Sequence, residues 1–315
     1  MAQPVQKEII ETILKDLLIE ELTQDKFTRK TNYGDNEIYI INHHNSPNVM
    51  KEIGRLRELS FRLAGGGTGL ETDIDDFDIA ENPYQQLIVW EPRKKEIIGG
   101  YRFINCQHIE TTNLNDIKLA TAELFNFSET FATKYLPFSI ELGRSFVTPE
   151  YQARFAGRKA VFALDNLWDG LGSLIIDNPA IKYFIGKITM YVHFDPFARD
   201  LILHFFSKYF SDDEGLMYPK EILGLSTDIN ILEQKFSGND YNSDYRILSK
   251  LVRERNEIIP PLFNSYMNLS PTMKFFGTAT NHHFGGVEET GIMIKIDDIY
   301  LSKKHRHLAT YQQKK

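Results

Sequence analysis

Hydrophobic residues recur along this chain at helical and at strand spacings in turn. Six aliphatic residues between positions 9 and 18 recur every three or four residues among Lys and Glu, which predicts an amphipathic helix over residues 5–22. The run Glu37–Ile41 predicts a first strand. Ser46 followed by Pro47 predicts the start of a second helix, which three glycines at positions 65–67 end near residue 64.

The rest of the chain alternates between predicted strands and helices. Two β-rich runs at 86–90 and 97–105 flank a charged loop that contains Pro92, which predicts a hairpin. Further helices are predicted at about 117–124, 158–171, 198–210 and 242–255, and further strands at 141–148, 188–192 and 291–296. The polar stretch 211–245 is expected to form surface excursions. This order predicts an α/β domain with a mixed, partly antiparallel central sheet flanked by helices.

Composition narrows the class of protein. With 315 residues, of which 42% are hydrophobic, the chain is long enough to bury a sizeable core. The single cysteine, Cys106, excludes an internal disulfide and favours a reducing compartment. No signal-peptide pattern and no run of about 18 apolar residues is present, so we expect a cytoplasmic protein. The N-terminal helix is expected to dock on the core or on a dimer partner, with peripheral membrane contact as the alternative. A net charge of −7 argues against nucleic-acid binding.

Charged residues interrupt the apolar runs of the predicted strands. Glu141 and Arg144 lie three residues apart in the run 140–148, and Arg102 lies in the second strand of the hairpin. Because burying an unpaired charge is costly, such residues either form an internal ion pair or build a site. An acidic cluster at 74–78 precedes the hairpin, and Arg57 lies near the end of the second helix.

The order of these motifs resembles two groups of acyltransferases in the GNAT superfamily. One is the acyl-homoserine-lactone synthases; the closer one is the hemolysin-like N-acyltransferases, which join a fatty acyl group from acyl carrier protein to ornithine or glycine. The matching positions are Arg57, Phe61, Asp75, Asp78, Arg102, Glu141 and Arg144. Segments 167–171, 259–262 and 266–269 match the second group. The resemblance covers roughly residues 35 to 300.

The resemblance implies an organisation and an activity for the chain. A GNAT-like domain is expected over residues 31–300, with a core at about 35–210 and a C-terminal extension at 211–300, between an N-terminal helix (1–30) and a polar tail (301–315). The implied reaction moves a (3-hydroxy)fatty acyl group from acyl carrier protein to the α-amine of a small amino acid, glycine before ornithine, as the first step of amino-acid lipid synthesis. The alternatives are an acyl-homoserine-lactone-like signal synthase and a non-catalytic, hemolysin-like lipid-binding protein.

The chemistry of amide formation assigns expected roles to the charged residues. The amine must lose a proton, and Glu141, partly desolvated in a strand, is the candidate base, acting directly or through one water. Arg102 and Arg144 suit a phosphate, the substrate carboxylate or pairing with the acidic cluster. Asp75 and Asp78 suit the substrate ammonium group, with a solvated acidic turn as the alternative. The resemblance places Arg57 and Phe61 at the substrate as well.

The donor is expected to meet a basic loop. Arg154, Gly157, Arg158 and Lys159 form a loose version of the GNAT pyrophosphate loop, with an ordinary solvated surface as the alternative. This departure from the usual loop favours a donor that carries phosphopantetheine without the nucleotide, which is acyl carrier protein. No bound cofactor is expected.

Three further expectations concern the chemistry around the base. Backbone N–H groups near Pro149, where the strand 141–148 loosens, are expected to bind the oxyanion. Cys106 is expected to be a buried structural thiol, so that the amine attacks the thioester directly. No metal site is expected, because His282 and His283 would point to opposite faces of a strand.

Overall fold

The fold centres on one large sheet. A computed structural model describes residues 6–152, 160–236 and 240–312. Its strands are β1 (Phe27–Lys30), β2 (Glu37–Ile41), β3 (Gln85–Glu91), β4 (Glu96–Asn105), β5 (Phe125–Phe127), β6 (Ser139–Val147), β7 (Tyr183–Met190), β8 (Met217–Pro219), β9 (Lys274–Asn281) and β10 (Val287–Lys295). Eight of them form a sheet in the order β1-β2-β3-β4-β6-β7-β10-β9, and β5 pairs separately with β8.

Helices cover both faces of the sheet. They are α1 (Lys15–Glu21), α2 (Pro47–Leu63), α3 (Asp76–Ile79), α4 (Glu129–Lys134), α5 (Ala160–Asp177), α6 (Pro196–Phe210), α7 (Ile229–Lys235), α8 (Tyr241–Glu254), α9 (Pro261–Met267) and α10 (Leu301–His307). None of the helices in these described ranges is both long enough and apolar enough to span a bilayer.

The sheet is mixed, as predicted. Neighbouring strands run antiparallel except β6 and β7, which pair in parallel from Ser139 opposite Tyr183 to Leu142 opposite Gly186. A parallel pair requires a crossover, and α5 provides it. The predicted α/β class with helices around a mixed sheet is confirmed.

The two faces of the sheet bury different apolar clusters. On one face, inward-pointing residues of β3, β4, β6 and β10 pack against α5, α6, α8 and α9 in the largest cluster. On the opposite face, α2 packs over β2, β3 and β4. A third cluster combines Phe125, Phe127 and Phe131 with Ile185 of β7 and also buries Cys106. The charged residues singled out in the sequence lie between the last two clusters.

Local chemistry sets the start of α2, the helix that carries Arg57. Pro47 occupies its first turn, as predicted from the sequence, but the side chain of Ser46 makes no capping hydrogen bond. Glu21 of α1 takes that role: its carboxylate oxygens accept from the backbone N–H groups of Asn48 (3.1 Å) and Val49 (2.9 Å). A carboxylate is favoured there because helix N-termini carry partial positive charge.

Two predicted helices are wrong, and in both the backbone has other partners. The helix predicted at 5–22 is confined to α1, because the N–H groups of Lys7 and Ile10 donate to the carbonyls of Gly69 and Glu71 in the neighbouring loop. The helix predicted at 117–124 is replaced by short 3₁₀ turns at Leu114–Asp116 and Thr121–Glu123. There, buried side chains bind the backbone and replace the helical bonds.

Other predicted elements are shifted or missing. The strands predicted at 188–192 and 291–296 are β7 and β10. Both strands start earlier than predicted. The prediction began too late because Lys187 and Glu289 interrupt the pattern of β-forming residues. β1 and β9 were not predicted. The stretch 211–245 is not only surface, since Leu216, Leu232 and Phe236 are buried. The C-terminal segment expected to be a polar tail contains α10, where buried His307 lies 2.8 Å from Asp169 of α5.

Candidate active site

A β-bulge interrupts β6 at its centre. Gly100 of β4 pairs with Phe146 and Arg102 pairs with Gly143, so that Arg144 and Ser145 lie opposite the single residue Tyr101. Arg144 adopts a φ of 46°, a conformation that costs a non-glycine residue of order 1–3 kcal/mol. A bulge leaves backbone groups of the strand unpaired within the sheet.

The bulge lies earlier in the strand than the loosening expected near Pro149. β6 stays in register there, since Val147 pairs with Gly99 and the N–H of Thr148 donates to the carbonyl of Ile98 at 2.8 Å. The expected place was therefore wrong by several residues. Arg144 and Ser145 are the residues of β6 that lie outside the regular pairing with β4.

Beside the bulge, β6 and β7 separate and leave a cleft. Their pairing ends at Leu142 and Gly186, although both strands continue. The cleft encloses a volume of about 20 Å³ and reaches β10 and α9. Its lining is mostly aliphatic or aromatic, from Tyr101, Leu142, Gly143, Ser145, Phe184, Ile185, Gly186, Lys187, Ile188, Leu262, Tyr266, Ile292 and Ile294. The chemistry of this lining suits an apolar group better than a polar one.

One hydroxyl in this apolar lining is poorly satisfied. Tyr101 is 3% exposed, and its Oη lies near the hydroxyls of Ser145 and Tyr266 without a normal hydrogen bond to any described residue. Burial raises the pKa of the Tyr101 hydroxyl, and the two neighbouring hydroxyls offset only part of that rise. The group therefore stays protonated, and an oxygen atom of a ligand in the cleft would give it a better acceptor than the two neighbouring hydroxyls.

A network of buried ion pairs supports the bulge from the opposite face of the sheet. Arg57 of α2 contacts Asp73 at 2.9 Å and Asp78 at 3.0 Å, and all three side chains are fully buried. Arg102 contacts Asp75 at 2.6 Å and Asp78 at 3.4 Å. We name these residues, together with Arg144, the charged frame: Arg57, Asp73, Asp75, Asp78, Arg102 and Arg144.

Arg144 joins the frame at the bulge itself. Its guanidinium contacts Asp73 at 2.9 Å and Asp75 at 3.6 Å, and it lies over the ring of Phe284 at 4.2 Å. Asp75 also caps the short helix α3, where it and Asp78 accept each other's backbone N–H. The frame therefore ties the acidic loop, α2, β4 and β6 to one another.

The two fully buried aspartates of the frame, Asp73 and Asp78, are ionised at neutral pH. Burial acts to raise the pKa of Asp78, but Arg57 and Arg102 outweigh burial and hold that pKa well below its usual range. Asp73 follows the same pattern, with Arg144 and Arg57 lowering its pKa. Burial alone would lower the pKa of Arg57, but Asp73 and Asp78 outweigh burial and raise that pKa above its usual value. Each charge is thus fixed by its partners.

Glu141 lies on the same face of the sheet but does not pair with Arg144. Its carboxylate is 1% exposed and accepts from the Tyr84 hydroxyl and from the N–H of Thr121 at 2.6 Å. Tyr84 in turn accepts from the N–H of Ala120 at 3.0 Å. The alternative of a Glu141–Arg144 ion pair in the core was therefore wrong, since Arg144 pairs with the aspartates instead.

A second pair of charges, which the sequence analysis missed, lies next to Glu141. Lys187 of β7 contacts Glu289 of β10 at 2.9 Å and donates to the carbonyl of Ala120 at 2.8 Å. Burial acts to raise the pKa of Glu289, but Lys187 and Arg144 lower it below its usual value. The sequence signal was present, because both residues interrupt apolar strands as Glu141 does.

The remaining candidate residues have varied positions. Phe61 is buried against Phe284, with ring centroids 5.1 Å apart. Arg154, Gly157, Arg158 and Lys159 fall outside the described residues.

His282 and His283 form a 3₁₀ turn rather than a strand, so the argument from opposite strand faces was wrong. Across residues 6–152, 160–236 and 240–312, no group of three or more His, Cys, Asp or Glu is placed to hold a metal ion.

Cys106 is buried, as expected. It is 1% exposed, and burial, with a smaller effect of Glu141, raises the pKa of its thiol well above the usual value. A thiol with a raised pKa is a poor nucleophile.

The arrangement suits a transfer through the gap between β6 and β7. An apolar chain in the cleft would place its reactive end at the bulge, where backbone N–H groups outside the regular strand pairing would bind a developing oxyanion. A polar partner would approach from the opposite face, which carries Glu141, Arg144, Lys187 and Glu289.

Comparisons with known proteins agree with this geometry. Residues 56–159 match the family model of the acetyltransferase (GNAT) domain. The chain is 52% identical over 305 residues to a glycine N(alpha)-acyltransferase of Phocaeicola vulgatus, covering 97% of the chain and 94% of that protein. It is equally similar over 305 residues to a glycine N(alpha)-acyltransferase of Bacteroides thetaiotaomicron, covering 90% of that protein.

The frame predicts a stability effect that depends on pH. Asp78→Asn leaves Arg57 and Arg102 with less compensation and should lower the free energy of unfolding by about 3–5 kcal/mol at pH 7. Because the folded-state pKa of Asp78 is depressed, its contribution is present above about pH 4 and is lost as the pH falls further. Urea denaturation at several pH values should show wild type losing more stability than the variant between pH 5 and pH 3.

A matched control is available on the surface. Glu254 pairs with Lys250 at 3.8 Å, with both side chains more than half exposed, so Glu254→Gln should change stability by less than about 1 kcal/mol. Equal effects of the two substitutions would contradict a structural role for the frame.

Proposed function

The chain belongs to the GNAT acyltransferase family of its glycine N(alpha)-acyltransferase relatives, and we propose that it transfers a fatty acyl group from acyl carrier protein to the α-amine of glycine. The reaction would be the first step of an amino-acid lipid pathway. The observation that carries the proposal is the apolar cleft that opens at the bulge of β6, opposite a face rich in fixed charges.

Two observations support glycine as the acceptor. The relatives, both 52% identical, are named for glycine, and they match this chain over nearly its whole length, including the C-terminal extension. Ornithine remains the second candidate. Membership in an enzyme family removes the non-catalytic alternative, and the end-to-end match to named glycine enzymes disfavours an acyl-homoserine-lactone-type synthase.

We propose a long acyl donor with a polar substituent on the chemistry of the cleft lining. Its aliphatic lining suits an alkyl chain, for which burial of each methylene contributes about 0.8 kcal/mol. The unsatisfied hydroxyl of Tyr101 suits an oxygen on that chain. A 3-hydroxyacyl group provides such an oxygen close to the thioester, and Tyr101 is our candidate for its recognition.

The mechanism follows from the elements around the gap. The amine of the acceptor attacks the thioester carbonyl carbon, and the tetrahedral oxyanion accepts from backbone N–H groups at the bulge. Glu141 takes the amine proton, through a water because its own carboxylate is closed in by Tyr84 and Thr121. Collapse of the intermediate breaks the C–S bond and leaves the amide, and the departing thiolate takes up the proton that Glu141 accepted, which gives the free phosphopantetheine thiol. Cys106, with its raised pKa, takes no part.

The donor assignment is tested by charge and salt. Acyl carrier protein is acidic, so its kcat/KM should fall between low and physiological ionic strength, and Arg158→Glu or Lys159→Glu should reproduce that fall. Arg246 and Lys250 on α8 are exposed and form another basic surface among the described residues. Arg246→Glu is therefore measured beside Arg158→Glu and Lys159→Glu, to show which basic surface the carrier protein meets. Equal turnover with acyl-coenzyme A and indifference to salt and to these reversals would refute the carrier-protein donor.

The base is tested by Glu141→Gln. The amide side chain still accepts from the N–H of Thr121, so the fold should persist, while kcat should fall by about 10² to 10⁴. The loss should shrink as pH rises, because more of the amine then arrives deprotonated. Glu150→Gln, an exposed glutamate just beyond the strand, is the control. A thermal melt accompanies the pH–rate profile, and a stable, fully active Glu141→Gln protein would exclude Glu141 as the base.

Tyr101→Phe tests the polar substituent of the chain. The substitution removes one oxygen and should lower kcat/KM for 3-hydroxyacyl donors by about 5- to 10-fold, as for one lost hydrogen bond. Turnover of the unsubstituted acyl donor should hold or improve. Tyr135→Phe removes an outer hydroxyl bound to Glu214 and should change neither. An unchanged preference in Tyr101→Phe would remove Tyr101 from acyl recognition.

A further inference from the structure

We propose that Lys187 binds the α-carboxylate of the acceptor amino acid. The inference rests on the proposed function, and it assigns a residue that lies outside the motifs singled out in the sequence. Three observations carry the inference. They are the position of Lys187 at the gap, the N–H donors of its ammonium group, and the ion pairs that already occupy the neighbouring arginines.

Lys187 lies where an acceptor must approach. It follows Gly186, the last residue of β7 that pairs with β6, and is thus the first residue of the separated part of the strand. Strand alternation places Phe184, Gly186 and Ile188 toward the apolar cluster with α5 and α9, and Lys187 toward the opposite face. If the acyl chain fills the apolar side, the amine reaches the thioester from the side of Lys187.

Two contacts hold the ammonium group of Lys187 in place and leave one of its N–H donors for a ligand. One contact goes to Glu289 and one to the carbonyl of Ala120, at 2.9 Å and 2.8 Å. An ammonium group has three N–H donors, so these two contacts leave one for a ligand. The side chain is 11% exposed, so that third donor is accessible from the gap while the other two hold its direction.

Neighbouring cations are committed to the charged frame. Arg57 and Arg102 are 0% and 2% exposed and each contacts two aspartates. Arg144 is directed to Asp73 and Asp75 and lies over Phe284. Lys187 has a single carboxylate partner, Glu289, which keeps the lysine in place and also presents a negative charge to the acceptor's ammonium group. A zwitterionic amino acid therefore finds both of its charges matched there.

The link to Glu141 adds a positional argument. The carbonyl of Ala120 accepts from Lys187, and the next backbone N–H, that of Thr121, donates to Glu141. A carboxylate held at Lys187 would therefore be one peptide unit away from the residue that receives the proton. Binding and deprotonation of a short α-amino acid would be coupled through the 120–121 backbone.

The test compares acceptors that differ only in the carboxylate. Purified wild type and Lys187→Met are assayed with glycine and with glycinamide, which keeps the amine and lacks the negative charge. We expect Lys187→Met to lower kcat/KM for glycine by about 10- to 100-fold, as for one lost charge-assisted hydrogen bond, through KM rather than kcat. Turnover of glycinamide and the KM for the acyl donor should stay unchanged, and Lys187→Arg should recover part of the preference.

Controls separate binding from folding. Lys295→Met removes an exposed lysine from β10 that pairs with Asp298, and it should leave the glycine preference intact. Because Lys187→Met leaves Glu289 buried without its partner, the double variant Lys187→Met/Glu289→Gln is measured as well, with thermal melts of each protein. The double variant should lose the carboxylate preference even where the single variant is unstable.

The outcomes distinguish the two levels of the proposal. If wild type acylates another amino acid but not glycine, glycine is wrong as the acceptor, and the same acid-against-amide comparison on that amino acid still tests Lys187. If folded variants retain the full preference for the acid over the amide, the role of Lys187 is refuted whatever the acceptor. If wild type itself takes amide and acid equally, no carboxylate site exists and the inference fails.

Discussion

The structure depends on two buried carboxylates that bind arginines from three separate elements. Asp73 contacts Arg57 and Arg144, and Asp78 contacts Arg57 and Arg102, so α2, β4 and β6 are joined through a short acidic loop. Removing these charges from water is costly, and the cost is offset only while the geometry of every pair is kept. The arrangement is therefore intolerant of small movements. It holds Arg144 in a backbone conformation that a strand would otherwise avoid, and with it the bulge.

The two faces of the sheet beside the gap differ in their chemistry. One face beside the gap is apolar and closed by α9, which suits an acyl chain, and the other carries the ionised groups, which suit a zwitterion. The gap between β6 and β7 connects the two faces at the bulge, where Arg144 and Ser145 fall outside the regular pairing with β4. In the proposed reaction, the topology of the sheet would bring amine and thioester together, with side chains supplying charge, direction and proton transfer.

Much of this was visible in the sequence, for a physical reason. Charges that interrupt an apolar strand must be paired or functional, and Arg102, Glu141 and Arg144 indicated the site in this way. Pairing of Arg102 and Arg144 with the acidic cluster was one of the predicted roles, and the structure confirms it, but the partner of each single residue was not visible. Arg144 lies only three residues from Glu141 in sequence but pairs with Asp73, because the bulge and the fold of the acidic loop decide which charges meet. Local periodicity also failed where tertiary contacts occupy the backbone, as at Lys7 and Ala120.

Lys187 and Glu289 show the limit of the same signal. Each interrupts an apolar strand, yet they are separated by about a hundred residues and meet only because β7 and β10 are neighbours in the sheet. Strand order is a long-range property that spacing along one sequence does not reveal. The seven motif positions from Arg57 to Arg144 lie within the part of the chain that the GNAT family model also matches, whereas Lys187 and Glu289 lie beyond it.

We propose that this protein forms N-acylated glycine. Mass spectrometry of lipids tests this in cells that overproduce the chain, compared with cells that overproduce the Glu141→Gln variant at equal protein level. We expect a new N-acylglycine with a long, hydroxylated acyl chain in the first sample and its near absence in the second. A wild-type sample with no new N-acyl amino acid would refute the proposal.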